Sequence, residues 1–155
     1  MKLKIITHPN DILRKTSARV DDINAVQKLC SDMVDTMEQE KGIGLSAVQV
    51  GDLVRIIAIH KDADKSLEDH AVMINPKIFS KSKDMEEGEE GCLSIPNCEG
   101  IVKRAKKIKV RYTDVSGLEQ KTKAVGLFAR VIQHEIDHLD GILFIDKTEK
   151  LTKGF

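Results

Sequence analysis

The stretch Gln133-His134-Glu135-Ile136-Asp137-His138 holds the residue types and spacing best suited to chemistry. On an α-helix, positions 134 and 138 are separated by about 400° of rotation, so both imidazoles leave nearly the same face and can share a metal ion. Glu135 lies about 100° round from His134. There it stands beside such an ion rather than on it, placed to take a proton from a water that the metal makes acidic. The bland alternative is an amphipathic helix with two surface histidines and salt-bridging acids. A catalytic metal normally has three protein ligands, so the third one discriminates.

The downstream routes close. Extending the motif as H-E-x-x-H-x-x-G-x-x-H puts Gly141 in register but ends on Phe144, which has no ligand atom. A downstream glutamate ligand is the other arrangement, and the sole glutamate after His138 is Glu149, in a polar tail. Two upstream stretches remain. In Glu89-Glu90-Gly91-Cys92-Leu93-Ser94, the cysteine follows a glycine in an expected loop, and a thiolate is a strong ligand for zinc or ferrous iron. Its alternative is a buried free cysteine, the role that Cys30 fits on an apolar helix stripe. Cys98 is given no role. The stretch 42–51, GIGLSAVQVG, lacks the ending of a phosphate loop but offers Gln49 as a neutral donor among small residues. Read alone it is a turn and a strand. His8, His60 and His70 are expected to be solvated or satisfied.

These residues need elements to hold them. Val26, Leu29, Cys30, Met33, Val34 and Met37 recur at steps of three and four, predicting an amphipathic helix over 23–40 after the capping candidates Asp21 and Asp22. The run 53–59 predicts a buried strand, 60–70 a charged loop, and 71–75 a short strand stopped by Pro76. Residues 83–91 read as an acidic, glycine-punctuated loop, and 107–114 as a half-buried strand that pairs back through a turn at 114–117. Residues 124–139 predict a second helix, with Gly141 as its stop. The order predicts an α+β fold: antiparallel β-sheets packed around a central helix carrying H-E-x-x-H, plus an N-terminal helix, all within one domain, 1–155.

Composition narrows the function classes. Lys and Arg total 25, as do Asp and Glu, so no charge excess favours nucleic acid or an anionic membrane. No apolar run is long enough to span a bilayer. The three cysteines and the absence of an apolar leader suggest a reducing cytoplasm. A processed organellar form would look the same.

Taken together, GIGLSAVQ, EGCLS and QHEIDH resemble the three ordered motifs of the peptide deformylase family, and the opening THPNDILRK resembles that family's start. The resemblance covers nearly the whole chain. It implies a hydrolase that removes the N-formyl group from formyl-methionyl nascent peptides and releases formate. It implies one divalent metal held by Cys92, His134 and His138, natively Fe²⁺, with Zn²⁺, Ni²⁺ or Co²⁺ able to replace it. Glu135 would be the proton carrier, with the Gln49 side chain and the Leu93 backbone N–H stabilising the oxyanion. Gly44 would bind the peptide main chain, and Leu127 and Val131 would wall the methionine pocket. Ribosome contact is expected to be transient at most, because the longer C-terminal helix by which some members dock is largely missing. A zinc peptidase, and a weakly catalytic protein that binds N-termini, are the alternatives.

Four positions bear on how far the resemblance reaches. Ser46 replaces an alanine, and its hydroxyl needs a partner if buried. Arg130, one turn before His134, stands where the family usually has an apolar residue, beside the substrate pocket. It is expected either to narrow that pocket or attract an acidic group or, preferably, to snorkel to the rim or pair with an acid such as Glu90. Glu99 stands where an arginine is common. Arg104 matches an arginine that pairs with the glutamate before Gly-Cys, which predicts a Glu90–Arg104 pair.

Overall fold

The computed structural model describes residues 1–154. Its elements are α1 (Gln27–Gln39), β1 (Gly44–Ser46), β2 (Ile56–Ile59), β3 (Ala71–Lys81), β4 (Met85–Cys92), β5 (Ile95–Ala105), β6 (Lys107–Thr113), β7 (Glu119–Val125), α2 (Gly126–Leu139), α3 (Phe144–Lys147) and β8 (Lys150–Lys153). One antiparallel sheet has the order β1-β2-β3-β6-β7 and a second has β4-β5-β8. The expected α+β class is therefore observed.

Side chains alternate between the faces of a strand, and β2 shows why its run is apolar throughout. Ile57 and Ile59 pack with Met73, Phe128, Ile132 and Ile136, the α2 side of the sheet. Ile56 and Ala58 pack with Cys30, Met33 and Met37 of α1 on the other side. A strand covered on both faces has no polar side to show. A third cluster, including Leu13, Val48, Ile95, Val102 and Phe144, joins the second sheet to the chain after α2.

Three expectations change. Residues 83–91 form most of a strand rather than a loop: β4 pairs with β5 from Met85↔Ala105 to Gly91↔Glu99. Its less exposed positions are Gly88, Glu90 and Cys92. Because these are not apolar, the two-residue alternation carried no hydrophobic signal. The strand beginning at Ala71 continues past Pro76 to Lys81, with a register shift between Ile74 and Lys77 that accommodates the proline. The first helix begins as a 3-10 turn at Asn24–Val26, and Asp22 Oδ1 accepts from Asn24 N–H at 3.0 Å.

The second helix runs from Gly126, and Gln133 fastens it to β5. Its Oε1 accepts from Ala105 N–H at 3.1 Å, and its Nε2 donates to Ala105 O at 2.9 Å. At the far end, Gly141 adopts φ +75° against the Arg14 carbonyl, where a Cβ would fall 2.4 Å from the oxygen. That position stops the helix and admits only glycine.

Candidate metal centre

Cys92, His134 and His138 meet where the β4–β5 turn faces α2. Their ligand atoms all lie within 4.8 Å of one another, and Cys92 Sγ is 3.2 Å from His138 Nε2. Two ligands on one tetrahedral ion at ordinary bond lengths lie about 3.4–3.6 Å apart. A thiolate with two imidazoles is a donor set for zinc or a similar divalent transition metal. This is the one such cluster among the described residues. Cys92 and His134 reach the site from different elements, β4 and α2, which chain order alone could not have revealed.

Glu90 sets the direction of His134. His134 Nδ1 lies 2.8 Å from Glu90 Oε1, which turns Nε2 toward the cluster. Arg104 grips the same carboxylate through Nε at 2.9 Å and Nη2 at 2.8 Å, and extends Nη1 to Asp137 at 2.5 Å. The predicted Glu90–Arg104 pair is thus present. Burial disfavours the charge on Glu90, but its bonds to Arg104 and His134 prevail and hold its pKa well below the usual carboxylate range. For His134, burial opposes protonation, while Cys92, Glu90 and Glu135 outweigh it and hold the imidazole well above 6.5. Burial and the neighbouring His134 and Arg104 charges keep His138 well below that value.

Glu135 is 4% exposed, its Oε1 has no hydrogen-bond partner, and its Oε2 sits 4.0 Å from His134 Nε2. Burial, reinforced by the Glu90 charge against the opposing effect of His134, pushes its pKa up to about 7. Such a carboxyl both takes and returns a proton near neutral pH. Gly44 lies directly over it, since a Cβ there would fall 2.8 Å from Glu135 Oε2 and 2.7 Å from Val131 Cγ1.

Gln49 is oriented by Ser46. The Ser46 N–H and hydroxyl both donate to Gln49 Oε1 at 2.9 Å, so the amide nitrogen points the other way, 3.1 Å from Ser94 Oγ and 3.5 Å from Cys92 Sγ. The serine that departs from the family pattern therefore has its partner. A cleft of about 340 Å³ opens from these groups, and Gly44, Gln49, Leu93, Leu127, Arg130 and Val131 all line it. Leu127 is half exposed at its edge, whereas Val131 is buried.

Arg130 pairs with the acid, as preferred above. Nη1 meets Glu90 Oε2 at 2.6 Å and Val102 O at 2.9 Å, and Nη2 donates to Glu86 O at 2.7 Å. Glu99 lines the cleft with Glu89, and a hydrogen bond between the two raises the Glu99 pKa. His60 and His70 are satisfied away from the site: His70 Nε2 is 2.6 Å from Glu38 Oε1, and His60 Nδ1 accepts from Asp62 N–H at 3.1 Å. Cys30 is buried in the core with its thiol pushed up to about 11 by burial.

Three contributors escaped the sequence reading. Gln133 and Asp137 lie inside the histidine motif but act on β5 and Arg104. Phe144, excluded as a ligand, stacks on the His134 ring with centroids 6.2 Å apart. The spacing of Asp137, three residues after His134, was the only available signal for its place on the same helix side.

Similar proteins place the chain in a family. The family described as Polypeptide deformylase matches residues 2–154. A peptide deformylase from Rhodopseudomonas palustris strain BisB18 is 44% identical over 154 residues, covering 97% of this chain and 88% of that protein. The crystal structure of a probable peptide deformylase from Synechococcus phage S-SSM7 superposes with a TM-score of 0.88 at 42% identity, covering 94% of this chain and 99% of that one. A class I type b peptide deformylase from Acinetobacter baumannii, in a structure bound to Met-Ala-Ser, gives a TM-score of 0.89 at 35% identity, covering 95% and 98%.

Proposed function

Since the chain belongs to the peptide deformylase family, we propose that its cleft hydrolyses the formyl amide of N-formylmethionyl nascent peptides, giving formate and a free amine, within a single catalytic domain spanning 1–155. The observation that carries this reading is Glu135, a buried carboxyl whose Oε1 has no hydrogen-bond partner, beside a Cys-His-His cluster. Cys92, His134 and His138 would hold the metal, natively Fe²⁺, with Zn²⁺, Ni²⁺ or Co²⁺ as replacements. The soft donor set and the 3.2 Å approach of Cys92 Sγ to His138 Nε2 support a metal here. When bound, the ion acidifies a water and polarises the formyl oxygen.

Glu135 takes the proton of the attacking water as the oxygen adds to the formyl carbon. Negative charge develops on the formyl oxygen, where the Gln49 amide N–H and the Leu93 backbone N–H stabilise it. As the C–N bond breaks, Glu135 returns the proton to the leaving nitrogen. Gly44 binds the peptide main chain, with no side chain to keep it away. Leu127 and Val131 flank the methionine side chain. Arg130 contributes to the cleft wall with its charge already balanced by Glu90, so it does not serve to attract an acidic group. Nascent chains emerging in a bacterial-type cytoplasm are the proposed substrates, met through transient ribosome contact.

The test is anaerobic preparation with Fe²⁺ or Ni²⁺, followed by assay of formate release from formyl-Met-Ala-Ser alongside internal cleavage of a blocked peptide. Formate release that Glu135→Ala abolishes, with metal content retained, is expected. A fully metallated protein that releases none defeats the reading, and internal cleavage instead favours a peptidase.

A further inference from the structure

Four donors converge on the Glu90 carboxylate. Oε1 faces His134 Nδ1 and Arg104 Nη2, both at 2.8 Å, while Oε2 accepts from Arg104 Nε at 2.9 Å and Arg130 Nη1 at 2.6 Å. An ionised carboxylate offers about four lone-pair sites, so every site is filled. Because this carboxylate can only accept, the proton shared with His134 belongs on Nδ1, so the neutral ring that binds an ion presents its Nε2 lone pair. Arg130 supplies the fourth donor.

Room for that guanidinium comes from β4. It lies flat over Gly88, where an added Cβ would fall 2.8 Å from Arg130 Cζ and Nε and 2.9 Å from Nη2. Contact with three atoms of the group at nearly one distance means that any side chain at 88 would displace the guanidinium. Gly88 is cross-strand to Val102, whose carbonyl accepts from the same Nη1.

We propose that Arg130 is a positioning residue for the metal ligand His134, acting through the fourth acceptor site of Glu90, and that Gly88 is its required counterpart on β4. The inference rests on the metal-site reading above. Without Arg130, one lone pair of a buried carboxylate loses its donor, and Glu90 is held only by Arg104 and by His134 itself. The His134 ring then loses a fixed partner. Gly88→Ala reaches the same state from the other strand by pushing the guanidinium off Glu90.

The experiment uses the Ni²⁺- and Co²⁺-loaded protein. Release of Ni²⁺ to an excess of chelator is timed, and the visible bands of the Co²⁺ form are recorded. Loss of an outer-shell partner typically weakens metal affinity or activity about 10–100-fold, so Arg130→Met and Gly88→Ala should each speed release by about tenfold or more. The double variant should be no faster than either single one, because both remove one contact. Arg130→Lys keeps a cation and one donor for Oε2, and should restore slow release and the wild-type Co²⁺ bands. Release and spectra unchanged in both Arg130→Met and Gly88→Ala overturn the inference while leaving the function intact. Failure of Arg130→Lys to restore them also overturns it. A wild-type protein that binds no stoichiometric ion overturns the metal-site reading and this inference together.

Discussion

Replacing Glu135 by glutamine tests the electrostatics of the centre apart from turnover. In the metal-free protein, Glu135 is buried and its pKa is pushed from 4.5 up to about 7. A carboxyl whose folded pKa is raised carries no penalty below its unfolded value, and loses stability as pH rises through the folded one. The full displacement corresponds to about 3 kcal/mol at roughly 1.4 kcal/mol per pH unit. Glutamine has the same shape and no charge, so the variant should escape this loss. Its advantage over the wild type should be about 1 kcal/mol at pH 5 and about 3 kcal/mol at pH 8. Urea unfolding of the chelator-stripped proteins at pH 5, 6, 7 and 8 reads the difference, which amounts to a midpoint shift of about 1–2 M at pH 8. His138, Glu90, Arg104 and Asp137 are present in both proteins, so most of their own titration cancels, whereas His134 loses in the variant one of the charges that raise it. A difference that stays flat across the range, or changes sign, refutes the raised carboxyl. The metallated variant should meanwhile lose formate release, which makes Glu135 a group kept at the expense of stability.

Glu90 has the opposite sign. Its lowered pKa contributes stability above the ordinary 4.5 that is lost as pH falls below it. Glu90→Gln should therefore lower the melting temperature at neutral pH by roughly 6–20 °C, from about 3–5 kcal/mol for an unbalanced buried pair, and flatten the acid side of the stability profile. Equal melting of variant and wild type at pH 7 counts against this. Gln49→Leu should reduce kcat by about 10²–10³, and Ser46→Ala, which removes one of the bonds fixing the amide, by about tenfold with little change in KM. Steady-state kinetics on formyl-Met-Ala-Ser separate these effects, and an unimpaired Gln49→Leu removes the oxyanion role. Glu99→Arg should shift kcat/KM several-fold toward peptides with acidic residues after methionine, and the shift should shrink in high salt. No change across a basic-to-acidic peptide series would show that Glu99 lies off the peptide path.

The Cys92, His134 and His138 cluster was legible because two of its members sit on one helix at a spacing that helical geometry alone converts into proximity. The glycine before Cys92 and the absence of a ligand at Phe144 directed attention upstream. Both main helices and the α+β class followed from periodicity for the same reason: apolar residues at three- and four-residue steps must cover a sheet. The β4 strand was not legible, because the positions it turns inward are Gly88, Glu90 and Cys92, placed there by the centre and not by a hydrophobic face.

Arg130 shows the division most clearly. Its position one turn before His134 marked it as unusual, and an acidic partner such as Glu90 was a fair expectation from charge. Only the tertiary structure decided that this partner, whose pairing with Arg104 was expected, also holds His134, and that a glycine on another strand makes room for the guanidinium. Residue type and spacing along one element determine which groups can share a face. Which faces meet, and how many donors one buried carboxylate must satisfy, depends on packing between segments some forty residues apart, as from Glu90 to Arg130 and to His134.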